Sequence, residues 1–285
     1  MDAPPTGKIE RPHPWVRRIL APNPSPFTFT GTQTYIVGED EVAVIDPGPD
    51  DDGHVAALLA AVAGERVAAI LCTHTHRDHS PASRALAAAT GAPVIGCAAL
   101  AIEDDGPRAD AAFDFDYVPD RVLADGEALA ADGWRLEAVA TPGHTSNHLC
   151  FALAGTGILF TGDHVMGWST TVVSPPDGDM KDYMASLERL RARDDALYLP
   201  AHGPAVENPQ QHLGRLIEHR GMRERQILAH LAAGEGRIPV IVAAIYADID
   251  RRLHPAAGRS VLAHLVDLER RGMVRSEGEG WTPNT

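Results

Sequence analysis

The chain has 285 residues, of which 44% are hydrophobic and 22% charged, and it carries a formal net charge of −14. That length accommodates one sizeable core and a small second domain, and the acidic balance excludes a nucleic-acid platform spread over the whole surface, because such binding neutralises phosphates with Lys and Arg. No stretch approaches the roughly 18 uncharged apolar residues of a membrane span, since "HVAALLAAVAGERVAAILC" is broken by Gly64, Glu65 and Arg66.

In chain order, the opening "MDAPPTGKIERPHPW" has no basic start followed by an apolar core, so no secretory signal is expected and the cytoplasm is the expected compartment. The segment up to about Thr34, rich in Pro, Thr and Phe, predicts an irregular arm. "TYIVGEDEVAVIDPG" predicts two strands around a turn, with Asp46 where the second stops. The spacing of Val55, Leu58, Leu59 and Val62 fits a helix face, and "RVAAILC" fits a buried strand. "SPASRALAAATG" predicts a helix stopped at Gly91, and "APVIGC" a further strand. Two hairpins follow, "GEALAADGWRLEAVA" and "LCFALAGTGILF", then an amphipathic helix over "MKDYMASLERLRAR" and a strand in "DALYLP".

A recurrence organises this series: buried strand, then a loop carrying His or Asp, five times, at Asp46, the His74 cluster, His144, Asp163 and His202. Alternating strands and helices mixed with hairpins predict a layered α/β sandwich with these loops gathered at one edge. Beyond about Pro209 the pattern turns helical and ends in a short hairpin, the outline of a winged-helix-like domain over 213–285 after a catalytic domain over 1–212. That tail holds eleven Arg, no Lys and nine acidic residues, a weak basicity for DNA binding. Substrate covering, structural support or a homodimer contact is the expected role. Cys72, Cys97 and Cys150 are odd in number and sit in apolar contexts, which predicts reduced core thiols.

"THTHRDHS" places three histidines and an aspartate within six positions, from His74 to His79. On an extended loop, alternate residues point the same way, so His74 and His76 can converge on one cation while Asp78 and His79 face a second. Neutral imidazole and carboxylate suit Zn²⁺, which lowers the pKa of a bound water to about 7; iron or manganese fits the same donors. Single histidines elsewhere (His13, His54, His212, His230, His254, His264) read as ordinary polar residues. His164 is expected to point away from the metals. His148 in "TSNH" reads as a supporting or substrate-orienting group, and "GWSTTVVSPPDGDMKDY" offers Trp168 and Tyr183 as possible substrate contacts. No G-x-S-x-G elbow is present, which counts against a serine hydrolase.

The order Asp46, His74-x-His76-x-Asp78-His79, His144, Asp163, His202 resembles the ligand pattern of the metallo-β-lactamase superfamily. Within it, "THTHRDHS", "TPGHTSNH", "DYMASLERL" and "PAHGPAVENP" resemble the beta-lactamase-like protein 2 group, which includes endoribonuclease-like and thioesterase-like members. The resemblance implies an αββα sandwich. It also implies one zinc on His74, His76 and His144, a second on Asp78, His79 and His202, Asp163 bridging them, and Asp46 hydrogen-bonded behind them. A binuclear zinc hydrolase using a metal-bridging hydroxide follows, with Asp78 or a zinc-bound water managing the proton. The expected substrate is a small ester, thioester, lactone or lactam. RNA is the alternative, through Arg215 to Arg225, and a non-catalytic metal-stabilised DNA-binding regulator is the remote third.

Overall fold

The computed structural model describes residues 5–101 and 113–284. Two antiparallel strands open the chain, β1 (Ile9–His13) and β2 (Val16–Leu20), followed by β3 (Gln33–Val37) and β4 (Glu41–Ile45). Two crossovers then follow, α1 (Asp52–Ala61) to β5 (Arg66–Cys72) and α2 (Ala82–Thr90) to β6 (Val94–Gly96), and the short β7 (Arg121–Val122) closes a seven-stranded sheet in the order β1 to β7. The predicted irregular arm therefore contains two strands. Charge conceals them in the sequence: Arg17 and Arg18 interrupt "VRRIL", yet Arg17 is buried against Glu65 at 2.7 Å and the Ala61 carbonyl at 2.8 Å, while Val16 and Ile19 enter the core.

β8 (Ala128–Ala131), β9 (Trp134–Ala140), β10 (Leu149–Leu153) and β11 (Ile158–Gly162) precede α3 (Met180–Arg191), and β12 (Leu197–Pro200) completes a five-stranded sheet in the order β12-β11-β10-β9-β8. Period-2 alternation assigns its two faces. Leu136, Ala138, Phe151, Leu153, Phe160 and Leu199 pack against the first sheet together with Ile36, Val44, Ile70 and Leu71. Val139, Cys150, Leu159 and Tyr198 turn outward beneath Tyr183, Leu187 and Leu190 of α3. All three cysteines are buried and free, as their apolar contexts predict.

The chain ends in α4 (Pro209–Ala232), α5 (Ile238–Ile245), α6 (His254–Arg270) and the hairpin β13 (Val274–Glu277) with β14 (Gly280–Pro283). Ile227, Leu231, Ile241, Val242, Val261, Leu265 and Leu268 form a separate small core there. α4 belongs to both bodies. Leu213 and Leu216 pack with α3, whereas Ile227 and Leu231, further along the same helix, pack with α5 and α6.

Topology gathers the polar loops at one edge. β4 and β5 are parallel, so Asp46 and the Thr73–Ser80 loop leave the first sheet on the same side; β11 and β12 are parallel, so Asp163 and His202 leave the second together. The β9–β10 turn shares that edge, because β10 is antiparallel to both neighbours. Backbone bonds join the sheets there, from Leu149 N–H to the Thr73 carbonyl (2.9 Å) and from Gln33 N–H to the Ala201 carbonyl (2.8 Å).

Candidate metal centre

Seven side chains meet at this edge in two groups. His74, His76, His144 and Asp163 present donor atoms within 4.8 Å of one another, and so do Asp78, His79 and His202. Asp163 lies between them: its Oδ1 is 3.3 Å from His202 Nε2 and 3.6 Å from His79 Nε2, and its Oδ2 is 3.8 Å from His144 Nε2.

The outer shell sets which nitrogen faces inward. His79 Nδ1 donates to Asp46 Oδ2 (3.0 Å), His144 Nδ1 to the Val172 carbonyl (2.7 Å) and His202 Nδ1 to the Gly31 carbonyl (3.2 Å). Thr73 gives its hydroxyl proton to Asp46 Oδ2 (2.8 Å), so the 3.0 Å contact with His74 is a bond donated by His74 Nδ1. With Nδ1 so engaged, each of these four rings turns Nε2 inward, the nitrogen a cation would take. His74 Nε2 and His144 Nε2 come within 2.9 and 3.2 Å of His76 Nδ1.

Asp46 anchors this shell at a conformational cost. Its φ is 48°, uncommon for a residue with a side chain, and the conformation aims its carboxylate at Thr73 N–H (2.8 Å) as well as at Thr73 Oγ1 and His79. Two glycines admit the neighbouring turns. Gly143 (φ 137°) lies where a Cβ would stand 2.3 Å from Tyr183 Cα, and Gly203 (φ 78°) where it would stand 2.4 Å from Trp168 Cδ1.

The electrostatics favour bound cations. Burial, reinforced by the neighbouring imidazoles, pushes His74 and His76 well below the ordinary histidine range. Burial also pushes His79 and His202 down, but the carboxylates of Asp78 and Asp163 outweigh it, raising His79 and taking His202 up to about 10. In the same balance, burial pushes Asp78 up and its imidazole neighbours bring it down to about 2; Asp163 is likewise held well below the carboxylate range. Divalent cations would supply the charge these carboxylates demand while leaving the nitrogen lone pairs available. Asp78 Oδ1, His79 Nε2 and Asp163 Oδ1 are buried without a hydrogen-bond partner among the described residues, so the donor set fits metal ions.

Other expected residues lie around this centre. His148 is buried; its Nε2 accepts the Asp163 backbone N–H at 3.3 Å and its Nδ1 donates to Thr141 Oγ1 at 2.9 Å, so it holds the Asp163 loop. Trp168 stacks on Phe29 at 4.9 Å beside the centre. Tyr183 is fully buried on α3 with its ring 4.9 Å from His164, and it is not among the residues lining the cavity over the donors. That cavity, about 30 Å³, is walled by Phe27, Met166 and Val172 and floored by His76, Asp78, His144, Asp163 and His202. Thr73 adjoins the histidine motif but has no signature of its own, and Phe27, Met166 and the Val172 carbonyl come from sequence-distant loops.

The model of the metallo-beta-lactamase superfamily matches residues 27–202. The chain belongs to that superfamily. A beta-lactamase associated winged helix domain matches residues 238–281. A beta-lactamase-like protein 2 homolog of Caenorhabditis elegans is 31% identical over 94% of this chain and 88% of its own length. An atrochrysone carboxyl ACP thioesterase of Aspergillus fumigatus is 33% identical over 76% of the chain, which spans 65% of that relative's length. A metallo-beta-lactamase family protein from Thermus thermophilus superposes with a TM-score of 0.75 at 24% identity, covering 95% of this chain and 99% of that one. The αββα sandwich with its winged-helix end is thus the family's fold, and the chain is a metal-dependent hydrolase of that superfamily. No described helix is long and apolar enough to cross a membrane.

Proposed function

We propose that the chain is a two-zinc hydrolase of small acyl compounds, a thioester or ester before a lactone or lactam. In this reading His74, His76 and His144 hold one ion, Asp78, His79 and His202 hold the other, and Asp163 bridges them. The observation that carries it is Asp163 itself, whose two oxygens face imidazoles of different donor groups. When bound, the ions supply Lewis acidity and a hydroxide at neutral pH.

The chain's own residues do the rest. Val172 and Gly31 fix the His144 and His202 rings through their carbonyls, and Phe27, Met166 and Val172 limit water around the reacting carbonyl. Asp78, in the cavity floor, takes the proton of the attacking water and returns it to the leaving thiol or alcohol as the acyl C–S or C–O bond breaks. The domain division proposed is a catalytic unit over 1–212 and a winged-helix-like unit over 213–285, with α4 as the rigid connection.

Two observations favour an acyl substrate over RNA. The cavity walls beside the donors are apolar. In the tail, Arg220 is 2% exposed and bonded to the Thr171 carbonyl, and Arg223 is bonded to the Ile245 carbonyl at 2.7 Å, so neither is presented for phosphates. The fungal relative's thioesterase name agrees with this choice. The test is turnover by metal-analysed protein on thioesters, lactones, nitrocefin and a short single-stranded RNA, with and without chelator. Two zinc ions per chain and chelator-sensitive thioester cleavage are expected. Cleavage confined to RNA would replace this reading with the nuclease one.

A further inference from the structure

Beside the metal cavity lies a second one of about 290 Å³, between the sandwich and the C-terminal helices. The two share Phe27, Met166 and Val172 as common walls. Its apolar walls are completed on the sandwich side by Pro26 and Trp168 and on the other by Tyr246, Ile249, Leu253, Ala256 and Ala257; Ser169, Thr170, Thr171, His219, Arg220, Arg223 and Ser260 also line it. We propose that this cavity binds the acyl chain of the substrate, so that the winged-helix unit selects chain length for chemistry performed in the other domain.

Three features point to an apolar chain. The named walls are aromatic and aliphatic, and Ala256 and Ala257, both buried on α6, leave space that larger side chains would close. The guanidiniums at the cavity bond to its own wall, Arg220 donating to the Thr171 carbonyl and lying 5.2 Å from the Tyr183 ring centre, Arg223 donating to the Ile245 carbonyl and lying 4.3 Å over Tyr246, while Arg220 Nε, Arg223 Nε and His219 Nδ1 are buried without a hydrogen-bond partner among the described residues. They hold the wall in shape. The volume sets a length, since 290 Å³, against the roughly 150 Å³ of a cavity that takes a six-carbon benzene ring, accommodates about ten carbons. Met166, unbranched and at the junction of the two cavities, can rearrange around a chain passing from one to the other.

The proposal deepens the acyl-hydrolase reading and rests on it for the word substrate, so its test includes binding without turnover. Uncharged alkyl methyl ketones from about four to fourteen carbons mimic the acyl chain and cannot be hydrolysed. Calorimetry on the metal-loaded full chain should show affinity rising about fourfold per added methylene, levelling near ten carbons, with a negative heat-capacity change. Ala256→Phe should move the plateau shorter by several carbons and lower the decanoyl-to-acetyl thioester ratio in kcat/KM at least tenfold. Tyr246→Ala should move the plateau longer, and it carries the test if the phenylalanine variant does not fold.

Ketone affinity independent of length, or an unchanged plateau in the folded variants, overturns the proposal. Length-dependent ketone binding without turnover of any thioester, ester, lactone or lactam would sustain the cavity and remove the acyl-hydrolase reading. Thioester turnover without length-dependent ketone binding would do the reverse.

Discussion

Asp46 shows how one carboxylate controls the metal centre without entering it. It fixes the loop backbone through Thr73 N–H and orients His79 through Nδ1, and by taking the Thr73 hydroxyl proton it obliges His74 to donate as well. Asp46→Asn keeps a residue type that tolerates φ 48° but replaces one acceptor oxygen with a donor. Metal affinity should fall about 10- to 100-fold with little change in folding stability, read by chelator competition beside thermal unfolding. Asp46→Ala should add about 1 to 3 kcal/mol of destabilisation from the same backbone conformation. Equal metal affinity in the asparagine variant would show that His79 does not depend on this bond. At the ligands themselves, Asp163→Ala should abolish binding of a second equivalent of zinc and lower turnover at least 100-fold, checked by metal analysis after dialysis.

Among the elements, the β9–β10 turn and the start of α3 are the most closely fitted pair. Gly143 touches the α3 backbone at Tyr183, and the Gly143 carbonyl accepts the N–H of Asp179, the residue capping α3. Gly143→Ala places a methyl group 2.3 Å from Tyr183 Cα, so α3 or the turn must move. A loss of about 3 kcal/mol or more is expected, with reduced metal affinity because His144 follows directly. Denaturant unfolding and metal titration of the one variant read both.

Strand exits were legible because continuous apolar runs such as "RVAAILC" end abruptly in polar residues, and the histidine cluster was legible because its donors are contiguous. β1 and β2 were not: β1 is exposed or half-buried and carries charge and proline, and the buried Arg17 breaks the pattern of β2. The carbonyls of Gly31 and Val172 were equally invisible, because every residue carries a carbonyl and only tertiary packing selects which one a histidine meets. Tyr183 is offered by the sequence as a possible substrate contact, but on α3 it lies on the face buried in the core.

For the whole molecule, the junction between the two bodies depends on groups kept neutral or internally paired. His264 on α6 is buried, and neither ring nitrogen has a partner among the described residues. Burial, then the repulsion of Arg220, His219, Arg271 and Arg223 around it, push it down to about 3; Asp267 and Glu224 line a surface cavity together with His264 but are engaged by Arg271. The unfolded chain protonates this histidine near 6.5 and the folded chain does not, so the unfolded state binds more protons below that value and stability must fall as pH drops from about 6.5 toward 3. At pH 5 this one group accounts for about 2 kcal/mol. His264→Leu removes the proton acceptor while filling a comparable space. Denaturant unfolding at pH 7.5 and pH 5 should therefore show the wild type losing about 2 kcal/mol more than the variant over that interval, whatever the metal ligands lose in common. Equal losses would mean that His264 is protonated in the folded protein and that the junction tolerates a further positive charge.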